Sequence, residues 1–105
     1  MDANDLTDQM LAAAKGLGGT IWSEMQSYAL PELQKIAIQI TAIAEHHADY
    51  KVAGAKALLD MQVKASIGVI VAMTTLTLLA VQDAINAILD AVRGLVNGAI
   101  GFALL

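Results

Sequence analysis

Residues 65–82 read ASIGVIVAMTTLTLLAVQ, and none of their side chains carries a charge. Residues 83–105, which follow this run, contain only three charged residues, Asp83, Asp90 and Arg93. A helix that is apolar on every side belongs either at the centre of a helical bundle or inside a membrane. The sequence therefore predicts that this segment is covered by a second copy of the chain or by a lipid bilayer.

The composition favours helices and self-association. Hydrophobic residues make up 57% of the 105-residue chain and charged residues 15%, against about 45–50% and about 25% in ordinary soluble domains. A single compact domain of this size would therefore expose unusually large apolar patches. Alanine, the best helix former, is abundant, and there is one proline. We predict an all-α fold of long amphipathic helices, forming a helical hairpin or an extended helix that completes a bundle by homo-oligomerisation.

The first segment, residues 1–30, is predicted to be helical. Asn4 or Asp5 is the expected N-cap, since short polar side chains satisfy the free N–H groups of a first turn. The glycines within residues 16–19 interrupt the apolar stripe of this segment, and each glycine inside a helix costs roughly 0.5–1 kcal/mol. The sequence therefore predicts a kink, a break or a close-packing site there.

The middle segment, residues 31–64, is predicted to be an amphipathic helix. It should begin near Pro31, because proline suits a first helical turn and the residue before proline avoids helical geometry. The apolar positions recur every three or four residues, as in a coiled coil. This apolar stripe is predicted to extend through Gly54, Ala57 and Met61.

The last segment, residues 65–105, is predicted to be an apolar helical segment of the same single domain, residues 1–105. No proline follows Pro31, so no residue type marks a clear helix end in this half of the chain. The chain is therefore either one very long helix or a hairpin whose turn lies near residues 49–54 or 66–68.

The apolar stripes of these segments are the predicted contact between copies. Residues that share one helix face, opposite the charged face, are the ones that a partner helix covers. The predicted oligomer interface consists of Leu33, Ile36, Ile40, Ile43, His47, Tyr50, Val71, Leu78, Ile85 and Val92.

One short cluster contains potential metal ligands: Glu45, His46, His47 and Asp49. Di-metal helical bundles characteristically carry a Glu-x-x-His pair on each of two helices, and that pattern is missing from the sequence. We therefore predict no metal site, with His47 as a core or interface histidine and His46 as a surface residue. The four residues are the candidates under the alternative that a metal binds.

Other chemistries are disfavoured by residue type. The chain has no cysteine and a net charge of −4, which removes thiolate chemistry and disfavours nucleic acid, whose phosphates reward clustered Lys and Arg. No serine lies in an arrangement typical of a catalytic triad. We predict a protein that is not an enzyme, with no cofactor and no small-molecule substrate.

The leading hypothesis is a non-enzymatic structural or interaction protein whose partner is another copy of itself, assembled through apolar helix faces into a bundle or a larger assembly. The alternative is a small membrane-inserting or pore-forming protein with a span near residues 65–82, which is about the shortest length that crosses a bilayer. A ferritin-like metal-binding bundle is the second alternative. The acidic N-terminus is unlike a signal peptide, so a cytoplasmic location is expected, with membrane association under the first alternative.

Overall fold

The computed structural model describes residues 1–105 and consists of four α-helices joined by short connections. The helices are α1 (Ala3–Lys15), α2 (Ile21–Glu45), α3 (Val52–Met73) and α4 (Leu78–Ile100), and a 3-10 turn lies at His47–Asp49. They form an elongated bundle of 40 × 22 × 18 Å around one core of 23 buried hydrophobic residues. The predicted all-α helical bundle is confirmed. One chain supplies all four helices of this bundle, and association with a second copy stays a prediction.

The N-cap of α1 is Asp2 rather than Asn4 or Asp5, both of which lie inside the helix. Asp2 Oδ1 accepts a hydrogen bond from the backbone N–H of Asp5 at 2.8 Å, which satisfies a free donor of the first turn and explains the earlier start. The same hydrogen bond lowers the pKa of the Asp2 carboxyl. At its other end α1 stops at Lys15, and residues 16–19 form a complete break before α2.

Pro31 lies inside α2, so the prediction that a helix begins there is wrong. Proline lacks the N–H that would donate to the carbonyl of Ser27, and its ring crowds that carbonyl. Both Ser27 and Pro31 are exposed, so water reaches the unpaired carbonyl. Fully buried side chains on either side, Ala29 and Leu33 among them, anchor both halves of α2 in the core.

The predicted helix over residues 31–64 is interrupted. The chain leaves helical geometry after Glu45, and Lys51 has an extended backbone at the N-cap of α3. This connection overlaps the turn predicted near residues 49–54. The other predicted turn, at residues 66–68, is wrong, since these residues lie within α3.

A further break separates α3 from α4 and is built by threonine hydroxyls. Thr74 Oγ1 donates to the carbonyl of Ile70 at 2.7 Å and accepts from the N–H of Leu76 at 3.3 Å. Thr77 is the N-cap of α4, and its side chain accepts a backbone N–H at 3.1 Å. Such hydroxyl-to-backbone bonds compete with helix continuation. The charge-free run at residues 65–82 is therefore divided between two helices.

The core face of α3 differs from the predicted one. The buried residues of this helix are Ala55, Leu59, Ser66, Ile67 and Ile70. Gly54, Ala57 and Met61, which continue the predicted apolar stripe, are exposed and do not belong to the core of this chain. The reason is the connection after Glu45, which resets the helical register between α2 and α3. Their contact with another copy stays a prediction.

Buried polar side chains are all hydrogen-bonded. The buried polar residues are Thr7, Glu32, Thr41 and Ser66. The two threonines donate to carbonyls one turn earlier in their own helices, and Ser66 Oγ accepts from Gln62 Nε2 at 3.1 Å. Glu32, only 4% exposed, pairs with Lys35 Nζ at 2.9 Å. The core therefore contains no unpaired side-chain donor or acceptor, which would be costly there.

The residues that follow α4 fold back onto the bundle. Gly101 ends the helix with a φ of 92°, a conformation that glycine adopts without strain. Asn97 Oδ1 then accepts from the N–H groups of Leu104 and Leu105 at 2.9 and 3.0 Å, and Asn97 Nδ2 donates to the Leu105 carbonyl at 3.2 Å. Leu104 is thereby buried, with 5% of its surface exposed.

Replacing Asn97 by alanine is expected to release this returning segment. The variant loses the three hydrogen bonds described above, so the free energy of unfolding should fall by about 1–2 kcal/mol. Hydrogen exchange at the Leu104 and Leu105 amides should accelerate. Gln82→Ala, an exposed position on the same helix and away from the returning segment, is the control and should change neither quantity. Equal effects of the two substitutions would contradict the role of Asn97.

Candidate interaction surface

The outward face of α3 carries a row of apolar and small residues that no other part of the chain covers. We name the following residues the α3 stripe: Gly54, Leu58, Met61, Ala65, Gly68 and Ala72, all of them exposed. They follow one another at alternating spacings of four and three residues, so they line one face of the helix. At 1.5 Å per residue the stripe is about 27 Å long.

The large side chains on this face are unusually exposed. Leu58 is 39% exposed and Met61 68%, and further along the same helix Val69 is 41% exposed and Met73 55%. Side chains of these types are normally buried, and contiguous exposed apolar patches mark contact sites. The α3 stripe is therefore the candidate functional surface of this fold.

Gly68 has no structural explanation within one chain. A Cβ added at this position would meet no atom within 4 Å, so no close contact in the bundle requires glycine. Its backbone does not have a positive φ either. A glycine inside a helix costs roughly 0.5–1 kcal/mol relative to alanine. The glycine leaves room for a side chain that approaches α3 from outside.

Charged side chains lie beside the stripe but not on it. Asp60 and Lys64 share one flank of α3 and form an ion pair, with Lys64 Nζ 2.8 Å from Asp60 Oδ2. The other flank is neutral and carries Val69 and Gln62. The stripe is thus an apolar strip bounded by an acid–base pair on one side only.

Most residues that were predicted to contact another copy lie inside the core of this chain. Those that are buried are Leu33, Ile36, Ile40, Ile43, Ile85 and Val92. Tyr50 and Val71 are half-buried against the core, whereas His47 and Leu78 are exposed. The apolar faces of α2 and α4 are therefore covered by the chain's own helices.

The four candidate metal ligands lie at the connection between α2 and α3, and all are exposed. His46 Nδ1 is 3.7 Å from Asp49 Oδ2, and His47 Nδ1 is 3.1 Å from the Ala44 carbonyl oxygen. Glu45 ends α2. No group of three or more His, Cys, Asp or Glu side chains is close enough together to hold a metal ion. His47 does not lie in the core of this chain, because the 3-10 turn carries it away from the apolar face of α2. Its place at a contact between copies stays a prediction.

The charge-free run does not form a continuous helix across the predicted span. The break between α3 and α4 divides residues 65–82. None of the helices combines the length and the apolar character that crossing a bilayer requires.

An open groove of about 500 Å³ lies between α3, α4 and the residues that follow α4. Its lining is mostly apolar and includes Leu59, Val63 and Leu104. The charged side chains in it are Lys56 and Asp60, both exposed.

Sequence reasoning found only two residues of the α3 stripe, Gly54 and Met61, because α3 is apolar on most of its circumference. Periodicity alone then does not say which face the core takes. One signal was available: Gly54 and Gly68 fall on the same face of the helix as Leu58 and Met61, whereas the core face carries larger residues such as Leu59.

Comparison of the chain with protein-family models, with curated proteins and with solved structures found no match.

Proposed function

We propose that this protein is a non-enzymatic interaction protein whose partner is a second copy of itself, bound through the α3 stripe. The observation that carries the proposal is the exposure of Leu58 and Met61 on a helix face without a charged side chain. Burial of apolar surface is the main favourable term in most protein association. Each copy offers the same face, as a two-fold dimer requires.

The proposed association joins chains that are already folded. A single chain exposes 5675 Å², close to the roughly 5,600 Å² expected of a compact monomer of this mass. The core of 23 hydrophobic residues also forms within one chain. The dimer should therefore dissociate into folded monomers, unlike a bundle that forms only when chains assemble.

Met61→Glu is expected to break this association. Glutamate in the middle of the α3 stripe places a charge where apolar contact should form, and an unpaired charge is costly to bury. The dissociation constant of the dimer should rise at least tenfold, which corresponds to about 1.4 kcal/mol. Sedimentation velocity over a wide range of concentrations measures this change. The wild-type mass should rise from 11.0 kDa towards twice that value with concentration.

Leu79→Glu is the matched control for this measurement. Leu79 is 66% exposed and Met61 68%, but Leu79 lies on α4, outside the stripe. The Leu79→Glu protein should associate like the wild type. A wild-type chain that stays monomeric at every concentration contradicts the proposal, and a Met61→Glu dimer as tight as the wild type places the contact elsewhere.

A further inference from the structure

We infer that the two copies pair through antiparallel α3 helices, in a register that sets Leu58 against Gly68 and Met61 against Ala65 of the second copy. The inference rests on the proposed self-association through the α3 stripe and specifies its orientation. It follows from the order of large and small residues along the stripe.

The spacing of the stripe fits an antiparallel pair. Positions that alternate at three and four residues form the seam between helices in a coiled coil. A two-fold axis at the level of Val63 places every stripe residue opposite another stripe residue. The facing pairs are Gly54 with Ala72, Leu58 with Gly68, and Met61 with Ala65.

The same register pairs large side chains with small ones. Leu58 of one copy enters the open space at Gly68 of the other, and Met61 covers Ala65. A parallel pair in register would instead crowd Leu58 against Leu58 and leave a gap between the two Gly68 residues. Overpacking and voids both destabilise an apolar contact. Glycine and alanine also let the helix axes approach to the lower end of the usual range, about 8 Å.

The charges on one flank do not distinguish the antiparallel from the parallel orientation. In an antiparallel pair each flank of α3 meets the same flank of the second copy, so the two Asp60–Lys64 pairs lie side by side. Because the chain directions are opposite, Lys64 of each copy lies within about 3 Å, measured along the axis, of the levels of both Asp60 and Lys64 of the other copy, so attraction and repulsion occur together. A parallel pair would place this flank against the neutral one. The inferred orientation therefore rests on the order of large and small residues along the stripe.

Disulfide trapping tests the register directly, because the chain has no cysteine of its own. Leu58→Cys and Gly68→Cys proteins are prepared separately, mixed, allowed to exchange subunits and oxidised. The mixture should give covalent dimers that link position 58 to position 68, and either protein alone should give few. In the inferred register, like positions lie about 15 Å apart along the axis, beyond the Cα distance of about 7 Å that a disulfide can bridge.

Gly68→Leu provides a second measurement that needs no oxidation. The new side chain fills the space that Leu58 of the second copy should occupy, so the dissociation constant should rise at least tenfold. The thermal stability of the monomer should not fall, because the side chain meets nothing in its own chain and leucine favours helix over glycine. Gly94→Leu on α4, where an added Cβ also meets nothing, should leave the association unchanged.

The possible outcomes separate this inference from the proposed function. Covalent dimers formed efficiently by each cysteine variant alone indicate a parallel pair, which overturns the antiparallel register and leaves self-association intact. An unmodified chain that is monomeric at every concentration overturns both. A third outcome is that the dimers dissociate and the protein binds phosphatidylcholine–phosphatidylglycerol vesicles, whereas the Met61→Glu protein does not bind them. This outcome would assign the stripe to a lipid surface and would overturn both the antiparallel register and the proposed self-association.

Discussion

Ile40→Asp is expected to unfold the whole chain, not only to separate copies of it. Ile40 is 0% exposed in the core of a single chain. Loss of the isoleucine packing costs about 2–5 kcal/mol, and an unpaired carboxylate in the core costs several kcal/mol more. Native proteins are stable by only about 5–15 kcal/mol. Far-UV circular dichroism should therefore show a large loss of helix.

Ile38→Asp is the matched control, because Ile38 lies on the same helix with 59% of its surface exposed. Its free energy of unfolding should change by no more than about 0.5 kcal/mol, measured by urea denaturation. An Ile40→Asp protein that stays folded and only loses its oligomeric state would place Ile40 at a contact between chains, as the sequence alone predicts.

Pro31→Ala is expected to stabilise the protein by about 2–3 kcal/mol, since a proline in a helix interior costs about 3 kcal/mol relative to alanine. Pro31 lies within α2. The substitution supplies the missing N–H for the carbonyl of Ser27 and removes the clash of the ring with that carbonyl. For a chain of this size the melting temperature should rise by roughly 8 °C or more. Differential scanning calorimetry measures the shift.

Pro31→Gly separates the effect of removing the proline ring from the effect of the helix propensity of the residue that replaces it. Glycine also restores the N–H and removes the ring, but it costs about 1 kcal/mol more than alanine inside a helix. Its stabilisation should therefore fall between the wild type and Pro31→Ala. An unchanged or lower melting temperature in Pro31→Ala would mean that the restriction of the unfolded chain by proline outweighs the missing hydrogen bond.

Helix ends were predictable only where residue type marks them. The break at residues 16–19 could be predicted, because clustered glycines weaken a helix wherever they occur. The break at Thr74 and Thr77 could not, because it depends on hydroxyl groups that reach particular backbone atoms, such as the Ile70 carbonyl. Threonine makes such bonds in some contexts and remains helical in others, as Thr41 does within α2.

The candidate site was only partly predictable. An apolar face that contacts another copy could be inferred from composition, but the residues assigned to it, Ile36 and Ile85 among them, belong to the core of one chain. The α3 stripe replaces them as the exposed apolar face. The difference arises because sequence periodicity identifies apolar faces without saying whether the same chain or a second one covers them.

The sequence by itself determined that the chain is helical, that its apolar surface is large for its size, and that its charges are concentrated outside residues 65–82. These are local properties, since helix propensity and hydrophobic content act residue by residue. Only the tertiary structure decided that α2 continues through Pro31 and that α3 turns Leu59 inward and Met61 outward. Continuation of α2 through Pro31 requires that burial against other helices outweighs the cost of a proline inside a helix. The orientation of α3 depends on which of its faces the other helices cover. In both cases the stabilising energy comes from packing between distant parts of the chain.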